Sequence, residues 1–231
     1  MTGPFLGLLM LETRFPRVPG DVGNPATFDF PVRRAVVRDA VPRRVVQAGE
    51  AALLEPFVEA ARGLVQAGAA AISTSCGFLV RYQARLAEAV DVPVWTSSLL
   101  LVPQLVAQGE RVGIVTVDAA AFSPALLAAA GADASTPVEG LASGCTFQRA
   151  LLDDEPRLDV AAAEAATVEA AQNLVQRHPG ITALVLECTN MPPYADAVRR
   201  ATGRAVHDIT TLLRARVPAA LAAPRGAPDE R

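Results

Sequence analysis

The chain contains one unit twice, and that repeat limits its fold more than any other feature. Gly63-Leu64-Val65-Gln66, the apolar run 69–72, Cys76, Tyr82 and Val94 align with Asn173-Leu174-Val175-Gln176, the run 181–186, Cys188, Tyr194 and Val206. Each tyrosine lies six residues past its cysteine, and Trp95 and His207 each lie nineteen past. The openings correspond too: Gly7-Leu8-Leu9-Met10-Leu11-Glu12 parallels Gly113-Ile114-Val115-Thr116-Val117-Asp118. Two like halves related by a pseudo-twofold axis bring matching strand ends together. Cys76 and Cys188 are therefore expected to face each other across a cleft.

Apolar periodicity predicts strands over 5–11, 69–72, 92–95, 112–117, 181–186 and 204–206, with a short one near Val138. Helices are predicted over 50–66, 77–90, 97–108, 119–130, 164–177, 193–201 and 209–221. Such alternation implies an α/β fold of two pseudo-twofold-related lobes, each a mainly parallel sheet flanked by helices, with the site in the cleft between them. The lobes are expected at 1–96 with 208–223, and at 97–207, with 224–231 as a frayed tail. Segment 32–46 stays open between strand and helix, because apolar residues alternate with arginines and Pro42 interrupts any helix. Segment 14–25 is too rich in Pro and Gly, and too long, for a simple turn; such loops are lids or disordered. Phe15, Phe28 and Phe30 favour an ordered lid.

A chain of 231 residues with 51% hydrophobic content can bury a full core. Its net charge of −3 leaves no basic stripe for a nucleic-acid partner. All 21 of its Lys+Arg residues are arginines, which excludes a pyridoxal Schiff base, a P-loop lysine and a kinase lysine. No basic leader precedes the first strand and no apolar run reaches the length of a membrane span, so a cytoplasmic protein without a membrane partner is expected. Three cysteines, an odd number, suggest free thiols. Cys76, Cys188 and His207 lack the local pairing of a metal site, and neither metal nor cofactor is expected.

Cys188 ends an apolar run that reads as a buried strand, and Pro192 fits the first turn of the helix after it. The carboxyl ends of α/β strands, beside helix N-termini, hold anions and nucleophiles. A thiol there is either a reagent or a small buried hydrophobe in a tight turn. Its repetition at Cys76 favours the reagent. Cys145 has no repeat partner and is read as structural.

Two cysteines that end strands in matching halves of a lysine-free α/β chain resemble the cofactor-independent aspartate/glutamate (Asp/Glu/hydantoin) racemase superfamily. Cys188-Thr189 is similar to its second-half Gly-Cys-Thr motif, and Cys76, after Ser73-Thr74-Ser75, stands in the place of its first-half cysteine. The resemblance implies that one thiolate removes the proton next to a carboxylate while the other thiol returns one to the opposite face. It implies a small carboxylate as substrate, main-chain donors at Gly77 and Asn190, and hydroxyls from Ser75, Thr116 and Thr189. Glu12-Thr13 resembles the Asp-Ser pair that assists the first cysteine, with Asp118 its counterpart by spacing; the plain alternative is that both acids cap the next element. His207-Asp208 either tunes Cys188 or lies at the surface.

Departures point away from glutamate itself. Cys76-Gly77-Phe78 replaces the Cys-Asn-Thr of many amino-acid racemases, and Asn190 stands where glutamate racemases carry His. The expectation is a racemase or epimerase acting by 1,1-proton transfer through Cys76 and Cys188, as a homodimer. The alternatives are a cysteine-dependent decarboxylase or cis–trans isomerase of a dicarboxylate, and a carboxylate-binding protein without turnover.

Overall fold

A computed structural model describes residues 3–223. It contains two four-stranded sheets of identical order. Strands β1 (Phe5–Leu11), β2 (Val32–Val37), β3 (Ala69–Thr74) and β4 (Val94–Trp95) pair as β2-β1-β3-β4. Strands β5 (Val112–Thr116), β6 (Val138–Gly140), β7 (Ala183–Leu186) and β8 (Ala205–His207) pair as β6-β5-β7-β8. Every pairing is parallel. The central strands β1, β3, β5 and β7 are buried along their whole length, which is why they read as continuous apolar runs rather than as alternation.

The helices are α1 (Leu54–Gln66), α2 (Gln83–Ala89), α3 (Val102–Ala107), α4 (Pro124–Ala129), α5 (Thr146–Leu152), α6 (Val160–Arg177), α7 (Ala195–Thr202) and α8 (Ile209–Ala222). The repeated glycine of each half marks a close helix–sheet approach. A Cβ on Gly7 would lie 2.7 Å from Ile72 Cδ1 with Leu64 of α1 beside it, and one on Gly113 would lie 2.5 Å from Ile181 Cδ1 with Leu174 of α6 beside it. Leu64 and Leu174 are themselves repeat partners. Helix α8 lays Leu212, Leu213 and Val217 on Leu6, Leu8, Met10 and Ala71 of the first sheet.

Some boundaries differ from the sequence expectation, each for a local reason. Segment 32–46 divides into the edge strand β2 and, after Pro42, a π-helical turn over Arg43–Ala48. The helix expected from 119 begins only at Pro124, because the Asp118 carboxylate accepts the N–H groups of Ala120 and Ala121 and holds a turn. The helix expected from 164 begins earlier, at Val160, where Asp159 caps it through the Ala162 N–H. The helices expected after each cysteine open as 3₁₀ turns, Gly77–Tyr82 and Pro192–Tyr194. The expected tail 224–231 lies outside the described residues. Among the described residues no helix is long and apolar enough to cross a membrane.

In each lobe the chain leaves the first central strand for one edge of the sheet and returns to the other, so a crevice opens between the carboxyl ends of β1 and β3, and of β5 and β7. These two crevices meet. One cavity is lined by Leu11 at the end of β1, Ser75 to Phe78 after β3, Val117 after β5 and Glu187 to Asn190 after β7.

Candidate active site

The cavity, partly open to solvent, spans about 370 Å³ with that open space included, and takes a thiol from each lobe. Cys76 is 8% exposed and Cys188 7%. The Phe78 N–H approaches the Cys76 sulfur and the Asn190 N–H the Cys188 sulfur, each two residues on, and both favour a thiolate. Burial outweighs them, and the neighbouring Glu187 charge adds to burial. The Cys76 thiol is pushed up to about 12, and Cys188 well above the ordinary thiol value. Burial favours the neutral thiol at both positions.

The same pseudo-symmetry sets the contacts between lobes. Thr189 Oγ1 donates to the Ser75 carbonyl at 2.7 Å, and at the equivalent place across the axis Gly77 packs against the Glu187 carbonyl and carboxyl. A side chain at 77 would occupy the space that Glu187 fills. Ser75 Oγ accepts the Leu11 N–H at 2.9 Å, and Ser98 Oγ donates to the Leu186 carbonyl at 2.8 Å. These hydrogen bonds set the relative placement of the two corners.

Glu187 is fully buried. Thr116 Oγ1 donates to its Oε2 at 2.8 Å, while Oε1 has no hydrogen-bond partner among the described residues. Burial lifts this carboxyl to about 8, against the Thr116 hydrogen bond and the Arg81 charge, which pull the other way. It is the one acidic side chain among the described residues that line the cavity, and Arg17 is the one cation.

Arg17 comes from the segment expected to form a lid. Its guanidinium lies 4.8 Å from the Phe15 ring centroid, donates from Nη1 to Asp21 Oδ1 and from Nη2 to Thr13 Oγ1, both at 3.1 Å, and is 11% exposed. Asp21, itself buried, also accepts from the Gly23 N–H and, at 2.5 Å, from Asn190 Nδ2. Asn190 Oδ1 in turn accepts from the Cys188 thiol at 3.5 Å. A chain of polar contacts therefore ties the lid to the second cysteine. The segment contributes one wall of the cavity, through Phe15 and Arg17.

The structure brings Cys76, Cys188, Ser75, Gly77, Thr189 and Asn190 together on this cavity. Two expected residues are placed otherwise. Glu12 does not reach it: the strand alternation that turns Leu11 inward turns Glu12 outward, where its carboxylate accepts the Asp39 N–H. Thr116 lies behind the cavity wall and meets it only through Glu187. Asp118 caps a turn, and Asp208 forms a capping box with Thr211 at the start of α8. His207 pairs within the second sheet, away from the thiols, and burial lowers its basicity. Cys145 accepts the Gln148 N–H at 3.4 Å at the start of α5.

Sequence reasoning missed Glu187, Arg17, Asp21 and the wall residues Leu151 and Leu152 from α5. Glu187 carried a signal, since a charged residue closing an otherwise apolar run beside a candidate reagent is buried at a cost. Arg17 carried none of comparable strength.

A two-lobed α/β scaffold with a cysteine at the same strand end of each lobe defines a class, and the comparisons place the chain within it. The Asp/Glu/hydantoin racemase family pattern matches residues 86–216. The chain belongs to that family, a superfamily of enzymes. It is similar to a dimethylsulfoniopropionate lyase of Durusdinium sp. clade D, 30% identical over 216 residues that cover 88% of this chain and 70% of the relative. It is 31% identical over 224 residues to dimethylsulfoniopropionate lyase 3 of Emiliania huxleyi strain CCMP1516; that match covers 90% of this chain and spans only 57% of the relative's length. A solved glycine-to-cysteine variant of arylmalonate decarboxylase shares the fold, with a TM-score of 0.67 over 97% of each chain at 21% identity.

Proposed function

We propose that the chain is a cofactor-independent lyase that removes the proton next to a substrate carboxylate with a cysteine thiolate and expels a leaving group from the adjacent carbon. The observation that carries this reading is the pair of buried thiols on one small, largely apolar cavity that also holds a single arginine. Dimethylsulfoniopropionate is the substrate best supported, because curated relatives at 30–31% identity bear that activity in their names.

The chemistry suits the cavity. Arg17, with two of its donors taken by Asp21 and Thr13 among the described residues, orients the substrate carboxylate. A thiolate removes the proton from the carbon next to that carboxylate. The electron pair left behind forms the carbon–carbon double bond as the bond to sulfur breaks, giving acrylate and dimethyl sulfide. A sulfonium cation beside the thiols offsets the burial that favours their neutral form. Base formation is thereby coupled to binding of the correct substrate.

Headspace measurement of dimethyl sulfide with acrylate detection tests this directly: both products are expected in equal amounts. Failure to form either in folded, thiol-reduced protein overturns the lyase reading. Arg17→Gln is expected to raise KM for the carboxylate by about 10- to 100-fold, the value of a charge-assisted hydrogen bond, with a smaller change in kcat. An unchanged KM would remove Arg17 from the substrate.

A second reading, racemisation by 1,1-proton transfer, is favoured by one specific observation. The two thiols occupy equivalent corners on opposite lobes, as a two-base inversion requires. Loss of optical activity from a single-enantiomer amino acid or hydantoin, without dimethyl sulfide release from the sulfonium acid, would select it.

A further inference from the structure

Glu187 is a buried titratable group on the cavity wall that the lyase reaction leaves unused. Its surroundings suit a neutral acid. Complete burial beside two thiols disfavours its charge; Thr116 on β5 donates to Oε2, and Oε1, without a partner among the described residues, is covered by Gly77 in the wall that carries both thiols. The groups that face the site from neighbouring elements are Cys76, Cys188 and Arg81, with Arg17 and Asp21 from the lid. Arg81 is turned to the Phe78 carbonyl.

Proton removal next to a carboxylate loads negative charge onto that carboxylate, and preformed donors aimed at such charge are the largest single source of catalysis in comparable sites. A second carboxylate ionised in the same cavity would repel it, whereas a neutral carboxyl donates to it. Resting on the reading that a carbanion forms next to a substrate carboxylate, we infer that Glu187 is a catalytic residue: a neutral carboxylic acid whose Oε1–H, turned out from under Gly77 when substrate binds, donates a hydrogen bond to that carboxylate as its charge grows. The proton stays on Glu187 throughout, and the carbon-bound proton goes to the cysteine.

The reactive state of the trio Cys76, Cys188 and Glu187 then carries one negative charge, on a sulfur. Its population rises with pH until the trio loses its first proton, near 8, and levels off above, because the carboxylate–thiol form holds the same net charge. In Glu187→Gln the amide still donates but no longer titrates. Its rate with dimethylsulfoniopropionate is expected within about tenfold of wild type at pH 7 and to keep climbing above pH 8, where wild type levels off. Glu187→Met removes the donor at similar size and is expected to lose about 100-fold or more at every pH. Equal losses in Gln and Met variants that melt like wild type would overturn the donor role and leave Glu187 a base.

Two readouts need no turnover, so the inference can fail separately from the lyase reading. Wild type is expected to show an infrared carbonyl band of a protonated carboxyl that is absent from Glu187→Gln, titrates away near pH 8 and shifts when propionate, a non-reacting carboxylate, binds. A band missing at pH 6, or one that saturating propionate leaves in place, overturns the inference. Melting supplies the other. The folded carboxyl keeps its proton up to about 8, while the unfolded one releases it near 4.5, so wild-type stability should fall relative to Glu187→Gln as pH rises between those values. Parallel melting curves would also contradict a neutral Glu187.

Discussion

Whichever of Cys76→Ser and Cys188→Ser removes the base is expected to lower turnover by about a thousandfold or more at neutral pH, with a melting temperature close to wild type. A hydroxyl is a far weaker acid than a thiol, so the base is lost, and removing a positioned proton-transfer group typically costs about 10²–10⁴-fold. Cys188 is almost fully buried and serine is smaller, so the packing change is slight. Serine at position 76 separates the two chemistries. Elimination needs one thiolate, so the two serine variants should differ widely; inversion needs both, so they should fail alike. Full activity in both variants would exclude either cysteine as the base.

Gly77→Ala is expected to destabilise the fold by about 2 kcal/mol, roughly 5 °C in melting temperature, and to abolish activity as well. A Cβ at 77 would overlap the carboxyl and the carbonyl of Glu187, and a main-chain atom cannot step aside as the end of a flexible side chain can. The overlap falls where the two lobes meet, so relief would have to come from separating the cysteine corners. Gly63→Ala, in α1 with open space around it, is the control and is expected to be neutral or slightly stabilising. Calorimetry of the two variants, with activity measured beside it, decides the matter; a Gly77→Ala protein that melts and turns over like wild type would contradict the packing described.

Much of this architecture is legible in the sequence because it is written twice. The run 181–186 and the run 69–72 name the buried strands β7 and β3, and matching glycines 7 and 113 name the strands that run beneath α1 and α6. The cysteine corners follow from the repeat, since equal strand order in two lobes must bring equal strand ends together. What was not legible lies off the repeat. The lid has no counterpart in the second half, so the arginine it delivers had no partner to mark it. Glu187 corresponds by position to Ser75, and a repeat shows likeness better than difference. Glu12 misled for a related reason: it shares a register with Asp118, but both side chains leave the central strands on the outer side and serve local turns.

On this mechanism a cysteine takes a proton from the carbon next to a carboxylate. Proton NMR in deuterium oxide tests it most directly, with dimethylsulfoniopropionate, single-enantiomer amino acids, hydantoins and substituted malonates as the panel. One member should lose the hydrogen next to its carboxylate, with dimethyl sulfide and acrylate formed if it is the sulfonium acid, and that loss should vanish when both cysteines are replaced by serine. Loss of that hydrogen from no member by folded protein with free thiols, or a loss that the double replacement leaves unchanged, would contradict it.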